Sequence, residues 1–147
     1  DQSTLPAALK LIDRWNRVQG FKYTKNKQEK EKEVITKMVS WMLAGYPVNV
    51  KLAKANNHYL GIVIYFSIPG WPDWGEIYMV KGINRIEDGG VHGISDACYL
   101  HIFDQFATMG CHFINDGELG SEIGTREHKL RFRPVDFLKS YDLEVRI

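Results

Sequence analysis

The stretch RIEDGGVHGISDACYLHIFDQFATMGCHFIN, residues 85–115, decides the fold. Gly89, Gly90 and Gly93 crowd its first part, where the chain needs a tight turn that side chains would obstruct. From Ile94 the apolar residues Ala97, Leu100, Ile102, Phe103, Phe106 and Ala107 supply the packing face of a helix that Gly110 closes. Cys111 to Asn115 follows as a short strand, and Glu76 to Lys81 precedes the turn as another. Strand, glycine-rich turn, helix and strand thus make one unit, around which the rest of the chain must arrange itself.

Toward the N-terminus the period is again helical. Leu5, Leu9, Ile12, Trp15 and Val18 predict a helix over 5–19, with Ser3 or Thr4 as its cap and Pro6 in the tolerant first turn. A lysine- and glutamate-rich run passes into Val34, Ile35, Met38, Val39, Met42 and Leu43, which predicts a second amphipathic helix over 28–44, stopped by Gly45 and Pro47. Its charges read as a solvated face with Glu–Lys pairs three or four apart. From Val48 the period drops to two, and 48–54 and 59–67 read as a hairpin. Ser67 to Gly75, with two prolines, reads as a loop, and further strands are expected near 129–133 and 140–146. This order predicts an α/β (α+β) fold, a mixed and mostly antiparallel sheet with helices on both faces. The N-acetyltransferase-like fold has the same order of elements.

Composition sets bounds on function. The 147 residues suit one domain, 1–147, with a real core, and 44% hydrophobic with 25% charged residues is ordinary for a globular protein. A net charge of +1 gives no overall attraction to nucleic acid or membrane, so such binding must come from a local patch. Two cysteines, Cys98 and Cys111, without a CxxC, read as reduced thiols, and no apolar run approaches a membrane span; the expected location is cytoplasmic. No Cys or His pair has ligand spacing, so no metal is expected.

The C-terminal third sharpens the reading. Phe113-Ile114-Asn115-Asp116-Gly117-Glu118-Leu119-Gly120 is followed by Gly124-x-Arg126-x-x-Lys129 and then Pro134. This resembles the C-terminal domain family of phosphatidylglycerol lysyltransferases, closely over 111–141 and loosely over most of the chain. The family has Leu where Thr125 stands, and its acidic turn is ordered differently. The resemblance implies an N-acetyltransferase-like fold and an aminoacyl or acyl transfer, with aminoacyl-tRNA as donor and a lipid head group or small amine as acceptor. It also implies a second acyltransferase-like domain in the same chain, making these residues the C-terminal half of a longer protein.

Such a transfer passes through a tetrahedral oxyanion, which needs donors to meet the charge and a carboxylate or histidine to manage the proton. Asp116 and Glu118, just past a strand end, are the candidate catalytic pair, the alternative being a plain turn. Asn115, Arg126, Lys129 and Arg131 are the candidate substrate-binding residues. Arg126 and Lys129 would share one face of a helical turn, whereas Lys129, Arg131 and Arg133 on a strand would form a basic stripe suited to phosphate. The glycine turn is the candidate cofactor site through Gly90 and Gly93, since acetyl-CoA-dependent enzymes of this fold carry a Q/R-x-x-G-x-G/A turn there. His92 in place of the second small residue, and the acidic Glu87 and Asp88, disfavour acetyl-CoA. Trp71, Trp74, Tyr78 and Tyr99 either line an acceptor pocket or anchor core and loops. Two alternatives stay open: a non-catalytic binding half, and a CoA-dependent N-acetyltransferase.

Overall fold

The computed structural model describes residues 3–19, 24–117, 123–134 and 136. Residues 1–117 form one compact unit and 118–147 a second, smaller one. In the first unit two helices, α1 (Thr4–Val18) and α2 (Lys25–Leu43), precede three strands, β1 (Val48–Ala55), β2 (His58–Ile68) and β3 (Trp71–Gly82). A single 3-10 turn, Ile86–Asp88, leads to α3 (Ile94–Thr108) and β4 (Phe113–Asn115). The second unit holds α4 (Ile123–Leu130). Strand order is β1-β2-β3-β4, antiparallel except for the parallel β3–β4 pair.

Side-chain alternation assigns the faces of β2, whose run Leu60, Ile62, Val63, Ile64 and Tyr65 is buried on both sides. Ile62 and Ile64 join Ala8, Leu11 and Ile12 of α1 and Ile35 and Val39 of α2 in one core. On the opposite face Tyr65 meets Phe106 of α3 edge to face at 5.4 Å, a geometry worth about 1 kcal/mol beyond burial. Gly75 is bare because a Cβ there would come within 2.6 Å of the Phe106 ring. Helices therefore cover both faces, as expected.

Several boundaries moved for identifiable reasons. α2 starts at Lys25 rather than 28 because the Thr24 hydroxyl accepts the Lys27 amide at 3.3 Å. Its charged run is not wholly solvated: Lys32 pairs with Asp13 of α1 at 2.7 Å, and Glu31 with Lys81 of β3 at 2.6 Å. The expected loop 67–75 shrinks to a turn at Pro69 and Gly70, since β3 begins at Trp71. Register jumps there from Ser67 opposite Gly75 to Ile68 opposite Trp71, so Pro72 lies in an irregularity that demands no ladder bond to β2. In α3 the buried stripe is Cys98, Tyr99, Ile102 and Phe106, while Leu100, taken as a packing residue, is 59% exposed. The strand expected at 129–133 is instead the end of α4 and a turn, with Arg131 donating to Glu127 O and Arg133 to Leu130 O before Pro134. The strand expected at 140–146 lies outside the described residues.

Candidate functional site

β3 and β4 pair for only three residues: Trp74 opposite Phe113, Gly75 opposite Ile114, and Glu76 opposite Asn115. β4 then stops while β3 runs on to Gly82. Beyond Glu76, among the described residues, no strand pairs with β3 on that side, and the two strands part there. Tyr78 sits at the irregularity between Ile77 and Met79, which re-aims the backbone within this stretch.

Polar groups converge on the same point. Asn115 Nδ2 donates to Glu76 Oε2 at 2.7 Å, and its Oδ1 accepts the Gly117 amide at 3.1 Å, with Gly117 left-handed at φ 60°. Asn115 is thus the turn-opening residue and also the clamp on a carboxylate. Asp116 accepts from the Tyr99 hydroxyl of α3 at 3.2 Å. Burial first, then the Asp116 charge, pushes the Tyr99 phenol well above its usual range, so it remains a donor at physiological pH. Trp74, Glu76, Phe113 and Asn115 share one sheet face by alternation and pairing, whereas Asp116 reaches toward α3 on the other. The divergence is flanked by a carboxylate on each side.

The structure brings together Asn115, Asp116 and Tyr99, the last expected either in an acceptor pocket or as an anchor, and adds Glu76, which the sequence had marked only as a strand residue. No local signal could have found Glu76, whose partner is 39 positions away. Glu118 lies outside the described residues. Arg126, Lys129 and Arg131 belong to the second unit: Arg126 and Lys129 share a face of α4, with Arg126 exposed and Lys129 half-buried, and exposed Arg131 follows in the turn. The basic stripe on a strand is accordingly corrected to a helical face.

The glycine turn is built for its own backbone. A Cβ on Gly90 would land on the Ile83 carbonyl oxygen, and Gly89 and Gly93 are left-handed at φ 70° and 78°. Arg14 of α1 donates to Asp88 O at 2.8 Å and Gly89 O at 3.0 Å, pinning the turn from outside. Whether a CoA pyrophosphate fits depends on the amides it would need. Gly90 N donates to Arg85 O, Val91 N to Ile83 O, and Ser95 N to Asn84 Oδ1 at 3.1 Å. The turn bears Glu87 and Asp88, one oxygen of Asp88 is buried without a partner, and Asp96 stands in the first turn of α3. The amides of Gly90, Val91 and Ser95 are engaged within the fold and carboxylates stand close by, which weighs against a pyrophosphate here, and no step below is routed through that group. Between α3 and β1–β2 lies a cavity of about 230 Å³, lined by Leu52, Ala53, Val63, Ala97, Cys98, Lys51 and His101. Burial pushes its Cys98 thiol up to about 11, which leaves a poor nucleophile there.

No family model and no curated protein matches the sequence. Solved structures do. An aminoglycoside acetyltransferase from an uncultured soil metagenomic sample, in complex with sisomicin, matches with a TM-score of 0.65 at 12% identity, over 97% of this chain and 90% of that one. The PaiA N-acetyltransferase of Thermoplasma acidophilum, in complex with coenzyme A, matches at 0.61 and 12%, over 88% and 82%. A ribosomal-protein-alanine N-acetyltransferase from Brucella melitensis matches at 0.54 and 14%, over 67% and 70%. Strand order, the parallel β3–β4 pair and these likenesses agree: the chain has the N-acetyltransferase-like fold.

Proposed function

We propose that this protein is an acyltransferase working at the β3–β4 divergence, with an aminoacyl ester as donor and an amine as acceptor. The observation that carries the reading is the pair of carboxylates, Glu76 and Asp116, held by Asn115 and Tyr99 on the two faces of the point where β4 parts from β3. The amine nitrogen attacks the ester carbonyl carbon and Glu76 takes the nitrogen's proton. The oxyanion of the tetrahedral intermediate meets backbone amides of the β3 edge. The ester C–O bond then breaks, and the proton on Glu76 passes to the departing oxygen. Asp116, oriented by the Tyr99 hydroxyl, faces the α-ammonium of the aminoacyl group. By the resemblance, Arg126, Lys129 and Arg131 are assigned to donor phosphate, and Glu118 keeps its assignment as a candidate carboxylate.

The resemblance over residues 111–141 supports an aminoacyl-tRNA as the donor, and the spent amides of the glycine turn weigh against acetyl-CoA. A second reading, CoA-dependent N-acetylation, draws on the coenzyme A complex among the structures of the same fold. The deciding experiment is single-turnover transfer from an aminoacylated tRNA minihelix, with acetyl-CoA in parallel, using the wild type, Glu76→Gln and Tyr99→Phe. Glu76→Gln should lower the rate by about 10²–10⁴ with an unchanged thermal midpoint. Tyr99→Phe should lower it less, through donor orientation. A fully active Glu76→Gln enzyme would remove the site, and transfer from acetyl-CoA alone would replace the donor.

A further inference from the structure

The cavity beside α3 has no part in the acyl-transfer chemistry. α3 packs mainly on β2 and β3 and leaves β1, the strand farthest from β4, to one side. The space of about 230 Å³ opens in that gap. Its floor is made of the smallest residues. Ala53 pairs with Gly61 across the β1–β2 ladder, and a Cβ on Gly61 would come within 2.9 Å of the Cys98 sulfur and 3.1 Å of the Ala53 Cβ. The helix thus approaches closely at Gly61, while Ala53 on the sheet and Ala97 on α3 leave the space beside it unfilled. Val63 and the Cys98 thiol complete an apolar lining. Burial pushes that thiol up to about 11, so it carries no charge at physiological pH.

The mouth of the cavity is basic. Lys51 pairs with Val63 across the ladder and lies on the same side of β1 as Ala53, and His101 lies one helical turn beyond Ala97. Both are exposed, and among the described residues neither has an ion-pair or hydrogen-bond partner. No carboxylate lines the cavity: Asp96 and Asp104 stand on α3 but form no part of its walls. β1 carries Lys51 and Lys54 and no acidic residue, and Lys54 lies over the Tyr59 ring instead. An apolar space with an unengaged ammonium at its mouth attracts an anion and repels a cation.

We infer that this cavity is a binding site for a small organic carboxylate with an apolar body. The body enters between Ala53, Val63, Ala97 and Cys98, and the carboxylate accepts from the Lys51 ammonium and the His101 N–H at the mouth. Volume sets the size of the ligand. An apolar cavity of about 150 Å³ holds benzene, so about 230 Å³ takes one ring with a short acidic arm. The site is built on β1, β2 and α3 alone, and it does not rest on the acyl-transfer reading of the β3–β4 divergence.

The test is calorimetric titration of the whole protein with phenylacetate, with its neutral counterpart phenylacetamide and with the cationic phenethylamine. Phenylacetate should bind, the amide should bind roughly tenfold more weakly, and the amine should not bind; raising salt should weaken the acid alone. Lys51→Met keeps the aliphatic stem and removes the charge, and it should weaken phenylacetate roughly five- to tenfold. Ala97→Leu fills the cavity from an exposed helix position and should abolish binding at an unchanged thermal midpoint. No binding of phenylacetate, equal binding of acid and amide, or binding indifferent to both substitutions overturns the inference. Acyl transfer would stand after any of these failures, because neither residue belongs to the β3–β4 site.

Discussion

At the residue scale, the two thiols separate by environment. Cys98 is buried against Gly61, where a Cβ would sit 2.9 Å from its sulfur, and burial pushes its thiol up to about 11. Cys111 is half-exposed and donates to Pro72 O at 3.5 Å. Dithionitrobenzoate at pH 8 should modify Cys111 quickly in the native protein and Cys98 only after denaturant is added. A native Cys98 that reacts as fast would refute its placement. The sign of the pH effect follows from proton counts. Between about pH 9 and 11 the unfolded thiol has lost its proton while the native one keeps it, so stability falls as pH rises through that window. Cys98→Ala should flatten this alkaline decline in chemical-denaturation midpoints. Both cysteines were legible in the sequence as free thiols; which one is inert was not, because burial depends on which face of α3 meets the sheet.

At the element scale, α3 is set by one close approach and one turn. Gly75→Ala would drive a methyl into the Phe106 ring, with nearest atoms 2.5 to 2.6 Å away. The expected cost is about 1–3 kcal/mol, visible as a lower thermal midpoint, and a paired Phe106→Leu should recover part of it. No loss in the single variant would mean that α3 does not rest on β3 as described. The same helix shows the limits of periodicity. Its start after Gly93 and its end at Gly110 follow the sequence signals, the end because Cys111 N reaches Phe106 O at 2.9 Å in a left-handed glycine closure. Its buried stripe was legible only in part: Ile102 and Phe106 were expected, but Leu100 is exposed and Tyr99 is inside. An aromatic with a hydroxyl can take a core position when a carboxylate meets the hydroxyl, as Asp116 does. The 3.6-residue pattern carries no information about that partner.

At the scale of the whole first unit, one ion pair ties its layers. Lys81 of β3 pairs with Glu31 of α2 and lies over Trp15 of α1, with the two charged side chains only 11% and 15% exposed. Burial lowers the Lys81 pKa, and Glu31 opposes that shift. The unfolded state then holds this proton more tightly than the native one. This contribution to stability therefore rises as pH climbs from the lowered native value toward the ordinary lysine value. Lys81→Met alone should cost about 2–3 kcal/mol by stranding Glu31, and Lys81→Met with Glu31→Leu should return most of it, as urea denaturation can measure. A single variant as stable as the wild type would mean that the pair contributes nothing to holding helices on sheet.

The order of elements, the hairpin turn at Asn56 and Asn57, and the glycine-rich entry to α3 were determined by the sequence alone, because backbone permission and side-chain period are local properties. The short β4, the early start of β3 and the helical form of 123–130 were decided by pairing and by chain-specific hydrogen bonds. So was the candidate site. Asn115 and Asp116 could be singled out as strand-end residues and Tyr99 as one of the candidate pocket aromatics, but Glu76 joined the candidate site only when β3 was brought against β4. Neighbours across a sheet are chosen by which faces bury together, a free energy of the whole assembly that no window of sequence contains.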